Sequence, residues 1–335
     1  WYGDHRDLHK EYRRQRQMCI RDRFKPNVAG DNLIDALLLM FNAIKEQQKV
    51  PDIFNYQNIS SIYKGKGSKH ELENDRGIFG VVILRRILDK LIYNDEYENI
   101  DKHMTDSNVG ARKQRNIRDN LFVVNSVINS AIKKESKNVD IQLYDISKCF
   151  DALWLQETMN DLYENGLQND KFVLLYEESK KNLVSIRTAY GLTERFELND
   201  VVMQGTVFAP LKCASQMDKI GSLAYRRGYP LFMYKEIVEI PPLGMIDDLL
   251  LINECGSSSI MSNSVVNSFI EWKRLSFGIK KCHKIHVGAK SRGNILGSKL
   301  CPELKVHGLK MEEKNSDKYL GDYINSDGTM DQNIK

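Results

Sequence analysis

The sequence lacks several features that would assign a protein to a class at once. Its six cysteines are scattered and form no CxxC pair, which argues against a disulfide framework and against a zinc finger. The longest apolar run near the start, 33–41, contains Asp35 and is too short to span a bilayer. No secretory signal is visible. These absences favour a reducing compartment inside the cell and exclude a disulfide-stapled secreted domain.

A strong charge of one sign is also missing. The 335 residues carry a formal net charge of +4, so composition alone does not indicate a nucleic-acid-binding protein and local clusters must carry that argument. Internal repeats and long low-complexity segments are absent as well. A hydrophobic content of 41% predicts a substantial core in one large domain or two of ordinary size.

Residues 1–23 differ from the rest of the chain. The run 11–23 is densely basic, has neither helical nor strand periodicity, and resembles translated sequencing-adapter sequence. We therefore exclude it from fold reasoning, as a fusion scar would be excluded. The competing interpretation is a basic arm that binds nucleic acid. The chain begins with Trp1 rather than Met, which predicts a fragment.

Two adjacent carboxylates, Asp247 and Asp248, interrupt a run (243–252) that is otherwise apolar. The pattern predicts two short strands joined by a tight turn, with the two aspartates at or beside its tip. Burying two carboxylates side by side among Leu and Ile is costly unless cations neutralise them. The alternative is a solvated surface turn, because Asp is a common turn residue.

A third carboxylate, Asp145, ends the stretch 139–145, in which apolar and polar residues alternate as in a strand. Carboxylates at the ends of core strands are a common way to build a metal site on rigid elements. Strands and helices are mixed along the chain without regular βαβ alternation. This predicts an α+β fold.

Basic residues gather upstream in two places. The loop 64–69 combines Lys64 and Lys66 with two glycines and could hold a phosphate, although an ordinary solvated hairpin tip explains it equally well. Arg112 and Arg115 lie in the basic loop 109–115 before a predicted helix. They are expected to contact a phosphate backbone, and the alternative is a solvated basic face.

The stretch 279–287 predicts a basic strand, and 318–324 predicts one more strand near the end of the chain. Cys282 and His286 lie within the first of these. Two such residues without a second pair are usually only a strand pattern, so zinc is a weak interpretation there.

Taken in order, these motifs resemble the reverse transcriptase domain of non-LTR (LINE-like) retrotransposons over about residues 27–335. The matching palm blocks are 144–154 for motif A, 204–210 for motif B, 245–248 for motif C, 281–282 for motif D and 319–321 for the start of motif E. The matching fingers blocks are 64–67 with 74–78, and 109–119. Each block alone is weak, but seven in the right order are specific.

The resemblance implies an α+β right-hand polymerase with palm and fingers, an antiparallel palm sheet packed on helices, and a thumb that is mostly missing. The expected segments are a non-native leader at 1–23, fingers at 24–138, palm at 139–290, and palm end with the start of the thumb at 291–335. The implied partners are an RNA template, a DNA primer and dNTPs, with no membrane. The endonuclease and thumb regions of a parent polyprotein are expected to be missing, and the implied location is the cytoplasm and nucleus.

The resemblance also implies two Mg²⁺ ions, with Mn²⁺ as a substitute, held by Asp145 and Asp247. Asp248 would be the auxiliary carboxylate, and the Ile146 carbonyl would complete one coordination sphere. Lys281 is a candidate general acid for the departing pyrophosphate, and the alternative is a surface lysine that faces phosphate. The residues expected to bind the substrate are Lys64, Lys66, Arg76, Ile146, Phe150, Gln204 and Gly205.

Phe150 is the most discriminating of these residues. It lies five positions after Asp145, where the family places a bulky aromatic against the sugar C2′. A ring there clashes with a ribose 2′-hydroxyl and favours DNA synthesis, whereas an aromatic of the core is the alternative. Gln204 and Gly205 are expected to shape the floor beneath the incoming base, with Gly205 permitting close backbone approach.

Three hypotheses follow from the resemblance. The first is an RNA-directed DNA polymerase, the second is a catalytically inactive relic of the same fold that still binds nucleic acid, and the third is an RNA polymerase. The sequence departs from the family pattern at Met245-Ile246, Ala209, Ala111 and Asn116-Ile117. None of these departures removes a metal ligand, but together they make activity less certain than ancestry.

Overall fold

The computed structural model describes residues 26–65, 67–134, 137–224, 230–233, 236–288 and 302–332. The leader at 1–23 and Lys66 lie outside the described residues. The chain divides into two compact units, 1–51 and 52–335. None of the described helices is both long and apolar enough to cross a membrane.

The helices follow the order expected from the sequence. They are α1 Pro26–Gln47, α2 Ile83–Asp101, α3 Ile117–Asn129, α4 Cys149–Ala152, α5 Leu155–Glu164, α6 Asn169–Lys180, α7 Ala209–Leu223 and α8 Ser257–Trp272. A π-helical turn at Ser130–Lys134 extends α3. Within α1, Gly30 has a non-helical backbone (φ 68°, ψ 160°), so the regular helix begins at about residue 31.

The strands are short and mostly antiparallel. In the first two thirds of the chain they are β1 Tyr56–Tyr63, β2 Asp75–Gly80, β3 Val139–Tyr144, β4 Asn182–Thr188, β5 Gly191–Leu192 and β6 Phe196–Leu198. The following strands are β7 Pro230–Met233, β8 Glu236–Glu239, β9 Leu243–Met245, β10 Asp248–Glu254 and β11 His283–Val287. The last are β12 Lys305–Val306, β13 Leu309–Lys310, β14 Glu312–Glu313, β15 Ser316–Tyr319, β16 Asp322–Asn325 and β17 Met330–Gln332.

One five-stranded sheet, ordered β14-β11-β3-β10-β9, forms the palm. Its central strand β3 is antiparallel to both β10 and β11. Both faces of β3 are covered: Ile141 and Leu143 lie in a core cluster with apolar residues of α3, and Tyr144 lies in a cluster with those of α7 and α8. A strand buried on both faces gives the sheet a rigid centre, and the expected antiparallel palm sheet on helices is confirmed.

A second sheet, ordered β2-β1-β4-β5 with β6 also on β4, contains the basic hairpin. Strands β1 and β2 are antiparallel, whereas β1 and β4 are parallel. Because β4 comes from residues 182–188, this sheet takes strands from inside the range 139–290 that we assigned to the palm. The expected segment bounds stay a prediction, whereas the palm and fingers architecture itself is confirmed.

Helix α8 ends at Trp272, because Arg274 takes a left-handed φ of 55° and the Leu275 N–H donates to the Ile270 carbonyl. Two element predictions were wrong in detail. The predicted strand 279–287 begins as a 3₁₀ turn, Ile279–Lys281, and only β11 is extended. The single tail strand is a hairpin, β15 and β16, with a turn at Leu320 and Gly321.

Candidate active site

The palm sheet brings three carboxylates to one of its ends. Leu249 of β10 pairs with Tyr144 of β3 in antiparallel register. One residue further out, Asp248 and Asp145 therefore come opposite each other. Asp248 also pairs with Met245, so Asp247 lies in the two-residue turn between β9 and β10. The predicted hairpin with both aspartates at its tip is confirmed.

The electrostatics of this cluster fit a cation site. Burial, and then the negative charges of Asp247 and Asp145, raise the pKa of Asp248 to about 6. Burial also raises the pKa of Asp247, and the charge of Asp145 adds to it, while Lys281 and Arg76 act in the opposite direction. Divalent cations relieve this kind of carboxylate repulsion, and carboxylate oxygens suit Mg²⁺.

The oxygens of the three carboxylates do not converge on a single position. Among the described residues, the group that brings three ligand atoms within 4.8 Å of one another is a different one, Asp140, Cys255 and His286. Asp145, Asp247 and Asp248 therefore do not form one closed site for a single ion. Their arrangement suits ions held by pairs of carboxylates, with waters or substrate phosphates as the remaining ligands.

Lys281 contacts the first of these carboxylates directly. Its Nζ donates to Oδ1 of Asp145 at 2.9 Å and to Oδ2 at 3.1 Å. The lysine side chain is 72% exposed, so it remains accessible from solvent. The 3₁₀ turn Ile279–Lys281, which we expected to be strand, is what points this ammonium group at the end of β3. Lys281 thus lies at the site, as the resemblance implies.

Gly278 lies against the Asp145 carboxylate, and sequence reasoning missed it. The Gly278 N–H donates to the Asp145 carbonyl at 2.8 Å, and Phe277 pairs with Ile146. A Cβ at Gly278 would lie 2.2 Å from Asp145 Oδ2, well inside contact distance. Any larger residue there would therefore displace the Asp145 carboxylate. No local signal marks this glycine as part of the site.

Asn108 holds the turn that carries Asp247, and it was also missed. Its side-chain oxygen accepts from the Ile246 N–H at 3.0 Å, and its amide donates to the Ile246 carbonyl at 2.9 Å. The turn needs this support because Ile246 has φ 61°, a left-handed conformation unfavourable for a β-branched residue. A Cβ at Gly110 would lie 2.4 Å from the Ile246 nitrogen, so the close approach of this loop also requires glycine.

Two further side chains support strand β9 of the same hairpin. The Asn120 amide donates to the Gly244 carbonyl at 3.0 Å, and the Tyr319 hydroxyl donates to the Leu243 carbonyl at 3.0 Å. The two side chains also contact each other at 3.2 Å. Tyr319 belongs to the block that resembles motif E, so this block supports the hairpin that carries Asp247 and Asp248.

The basic residues of the fingers hairpin are exposed. Arg76 lies on β2, and its charge lowers the pKa of Asp247, which places it within electrostatic reach of the carboxylates. Lys64 follows β1, and its backbone N–H donates to the Asn74 carbonyl at 2.8 Å to close the hairpin. Lys64 and Arg76 are thus presented at the same end of the hairpin.

Gln204 and Gly205 join the motif B loop to the fingers. The Phe79 N–H of β2 donates to the Gln204 carbonyl at 3.0 Å. Gly205 has φ 123°, and a Cβ there would lie 2.8 Å from the Phe79 carbonyl oxygen. The close approach we expected at Gly205 therefore exists, and its partner within the chain is the backbone of β2. Contact with a base stays a prediction.

Phe150 lies in the short helix α4, directly after β3. It is only half-buried and packs against the core cluster that contains Tyr144 and Ile146. Both interpretations from the sequence thus keep support: one part of the ring contributes to the core, and the rest is accessible beside the end of β3. The Ile146 backbone is fixed by its pairing with Phe277.

The two arginines expected to contact nucleic acid differ sharply. Arg112 is buried, and its guanidinium donates to Asp101 Oδ1 at 2.6 Å and to the Asn108 carbonyl at 3.3 Å. It also donates to the carbonyls of Asp101 and Thr105. It is therefore occupied within its own loop, and this geometry does not support a phosphate contact. Arg115 is exposed and forms an ion pair with the exposed Asp106.

An antiparallel palm with carboxylates at one end, beside a sheet with a basic hairpin, defines the architecture of a template-directed nucleic-acid polymerase. The family model for the reverse transcriptase (RNA-dependent DNA polymerase) matches residues 68–323. The chain belongs to this family. No curated protein sequence gives a significant match to the chain.

Solved telomerase structures have a similar fold. Apo telomerase from Candida tropicalis has a TM-score of 0.56 at 11% identity, covering 91% of this chain and 54% of that one. Telomerase from Candida albicans in complex with a TWJ fragment of telomeric RNA has a TM-score of 0.55 at 12% identity, covering 93% and 50%. The chain thus spans about half the length of these proteins. At such low identity the likeness concerns the fold alone.

Proposed function

We propose that this chain is the fingers and palm of an RNA-directed DNA polymerase from a non-LTR retrotransposon. It would extend a primer 3′-hydroxyl on an RNA template by transferring nucleotides from dNTPs. The observation that carries the proposal is the β3–β10 register, which sets Asp145 opposite Asp248 with Asp247 in the adjoining turn. The retrotransposon origin rests on the motif order in the sequence.

The carboxylates supply the ligands for the metal ions that this chemistry needs. Asp145 and Asp247 would hold two Mg²⁺ ions, with Asp248 as the auxiliary ligand. When bound, such ions lower the pKa of the primer hydroxyl and neutralise charge on the triphosphate. The primer oxygen forms a bond to the α-phosphorus, and the bond from that phosphorus to the β-phosphate oxygen breaks.

The cationic side chains act on the triphosphate. Lys64 and Arg76 would pair with its phosphate oxygens, as positive clamps do at other phosphoryl-transfer sites. Lys281 would donate a proton to the departing pyrophosphate. Its contact with Asp145 supports this role, because it places the ammonium group beside a carboxylate that would hold the metal ions.

Phe150 selects the sugar in this proposal. A ring beside C2′ leaves space for deoxyribose and clashes with a ribose hydroxyl. Truncation to Ala should raise the relative use of ribonucleotides by roughly 10- to 200-fold, the range that one steric contact supplies. Phe122→Ala, which removes a highly exposed ring from α3, is the matched control. If Phe150→Ala kept the wild-type preference for deoxyribonucleotides, the Phe150 ring would have only a structural role.

The direct test is primer extension on an RNA template with Mg²⁺ and dNTPs. Asp247→Ala should abolish extension, whereas Asp170→Asn, an exposed carboxylate in the first turn of α6, should leave it intact. Both proteins should keep the same circular dichroism spectrum. Wild-type-level extension by Asp247→Ala would overturn the proposed role of this carboxylate.

One contact favours the alternative of an inactive nucleic-acid-binding relic. Because Lys281 binds both oxygens of Asp145, a cation must compete with this ammonium group. Calorimetry with Mg²⁺ and a dNTP separates the two functions. A polymerase binds the ion and the nucleotide together, whereas a relic binds RNA with a strong salt dependence and shows no metal-dependent nucleotide binding.

A further inference from the structure

Three different ligand types meet at the end of the palm sheet away from the catalytic carboxylates. Asp140 of β3 pairs directly with His286 of β11. Cys255 follows β10, and the last residue of that strand, Glu254, pairs with Val139 beside Asp140. Asp140 and His286 thus lie on neighbouring strands of the palm, and Cys255 directly follows the strand on the other side of β3.

The donor atoms of these residues are close. One ligand atom each from Asp140, Cys255 and His286 lies within 4.8 Å of the other two. His286 Nδ1 is 2.9 Å from Asp140 Oδ1, and the Asp140 carboxylate is fully buried. Donors around one tetrahedral zinc ion lie about 3.5 Å apart, given bonds of about 2.0–2.3 Å. Small side-chain movements would therefore close the group around an ion.

The chemistry of the group differs from that of the catalytic carboxylates. A thiolate, an imidazole and a carboxylate suit Zn²⁺ and related transition ions, whereas Mg²⁺ prefers oxygen ligands alone. Three protein ligands and one water complete a tetrahedral zinc site. The sequence offered Cys282 as a partner for His286, but Cys282 Sγ lies at the Asp145 backbone instead.

An ordinary His–Asp ion pair is the competing explanation for two of these residues. It does not require a thiol, yet Cys255 is held close to the pair. Its position is fixed from both sides: its N–H donates to the Asn138 carbonyl at 3.4 Å, and Gly256 turns the chain with φ 109°. The Cys255 thiol is not in a disulfide and is only half-buried, so an ion can reach it.

We propose that Asp140, Cys255 and His286 form a binding site for a transition-metal ion of the Zn²⁺ class. The site lies five residues from Asp145 along β3, about 16 Å at the rise of an extended strand. A bound ion would link the ends of β3, β10 and β11. An ion there stabilises the palm and takes no part in nucleotide transfer.

The test uses Co²⁺, whose spectrum reports its ligands, with the full chain under reducing conditions. Wild-type protein should bind one Co²⁺ at this site, with a thiolate charge-transfer band and the intense visible bands of tetrahedral geometry. Zn²⁺ should displace it, and Mg²⁺ should not. Cys255→Ser should lose the charge-transfer band, and His286→Asn should weaken binding at least 10-fold.

The controls separate this site from other thiols and from misfolding. Cys213→Ala removes a buried thiol 3.3 Å from that of Cys149 and should keep the band. If a variant does not fold, alkylation of wild-type protein gives the same answer, because Zn²⁺ should protect Cys255 from the reagent. A missing band, a band retained in Cys255→Ser, or Cys255 alkylation unaffected by Zn²⁺ would each overturn the proposal.

Discussion

The side chain of Asn108 forms two hydrogen bonds to Ile246, one to its N–H and one to its carbonyl. Ile246 needs both, since its left-handed φ of 61° disfavours the turn by about 1–2 kcal/mol. The turn carries Asp247, so the amide of a fingers loop sets the position of a palm carboxylate. Asn108 is therefore a positioning residue for the proposed metal site.

Replacing Asn108 with Ala should loosen this turn. Three side-chain hydrogen bonds are lost, two with Ile246 and one from the Gly110 N–H, so we expect a decrease of about 1–3 kcal/mol in the free energy of unfolding. Primer extension should slow at least about 10-fold in kcat, because small displacements of catalytic groups have large effects on rate. Chemical denaturation and steady-state extension measure the two effects.

The matched control for this loop is Asn160→Ala, which removes an exposed amide from α5. It should change neither the stability nor the rate appreciably. Asn108→Ala at wild-type kcat, despite reduced stability, would show that the hydrogen bonds to Ile246 stabilise the fold without positioning Asp247.

Gly278→Ala should displace the Asp145 carboxylate while the backbone keeps its path. Gly278 has φ −76°, which Ala adopts without strain, so only the new methyl group acts. That group would lie 2.2 Å from Asp145 Oδ2. We expect Mg²⁺-dependent nucleotide binding, measured by calorimetry, to weaken at least about 10-fold, as when groups around a metal ligand are altered.

Gly77→Ala adds the same methyl group at a normal contact, 3.4 Å from the Ile59 side chain. Its thermal stability gives the background effect of a Gly→Ala change in this protein. Unaltered Mg²⁺-dependent nucleotide binding in Gly278→Ala would mean that the Asp145 carboxylate can move away from the methyl group without loss of function.

The sequence predicted the carboxylates but not the residues that hold them. Asp145 and Asp247 are marked by local patterns, a strand end and a doublet within an apolar run. Asn108 acts on a residue 138 positions away, and Gly278 acts through contact with Asp145. No periodicity or spacing encodes such contacts. They depend on how the loops pack after the sheet has formed.

The same limit applies to Arg112, whose expected phosphate contact stays a prediction that its burial does not support. An arginine in a basic loop has the same sequence signature whether its guanidinium faces solvent or the carbonyls of its own loop. Helix α3 behaved differently, because its signal is local: Asn116 and Asp119 form a capping box even though Asn116 replaces the usual residue. Local sequence signals such as a capping box therefore predict where a helix begins. Whether a charged side chain is buried could be seen only in the structure.

Arg112 and Arg115 should therefore give opposite results when each is replaced with Ala. Arg112→Ala leaves the Asp101 carboxylate and three backbone carbonyls without their partner, and should lower the free energy of unfolding by about 3–5 kcal/mol. Arg115→Ala should leave the free energy of unfolding unchanged but weaken RNA binding. The slope of the logarithm of the RNA-binding constant against the logarithm of salt concentration should decrease in magnitude by about 1. Thermal denaturation and RNA titrations at several salt concentrations measure both. If Arg112→Ala were as stable as wild type and showed a weaker salt dependence of RNA binding, Arg112 would contact the phosphate backbone as first expected.

Asp161 should make stability depend on pH in the acidic range. Burial, opposed by the nearby Lys273 and Lys219, raises its pKa from 3.8 to about 6. The folded chain then keeps a proton that the unfolded chain has released, so this stabilising contribution is complete below about pH 4 and is lost as the pH rises through 6. The raised pKa corresponds to about 3 kcal/mol.

Asp161→Asn removes this titration. The free energy of unfolding of wild type minus that of the variant should therefore decrease by up to about 3 kcal/mol between pH 4 and 7, measured by denaturation at each pH. Asp170→Asn, at an exposed carboxylate, should give a nearly constant difference over the same range. If the wild-type advantage instead increased with pH, the attraction of Lys273, 3.2 Å from Asp161, would outweigh burial.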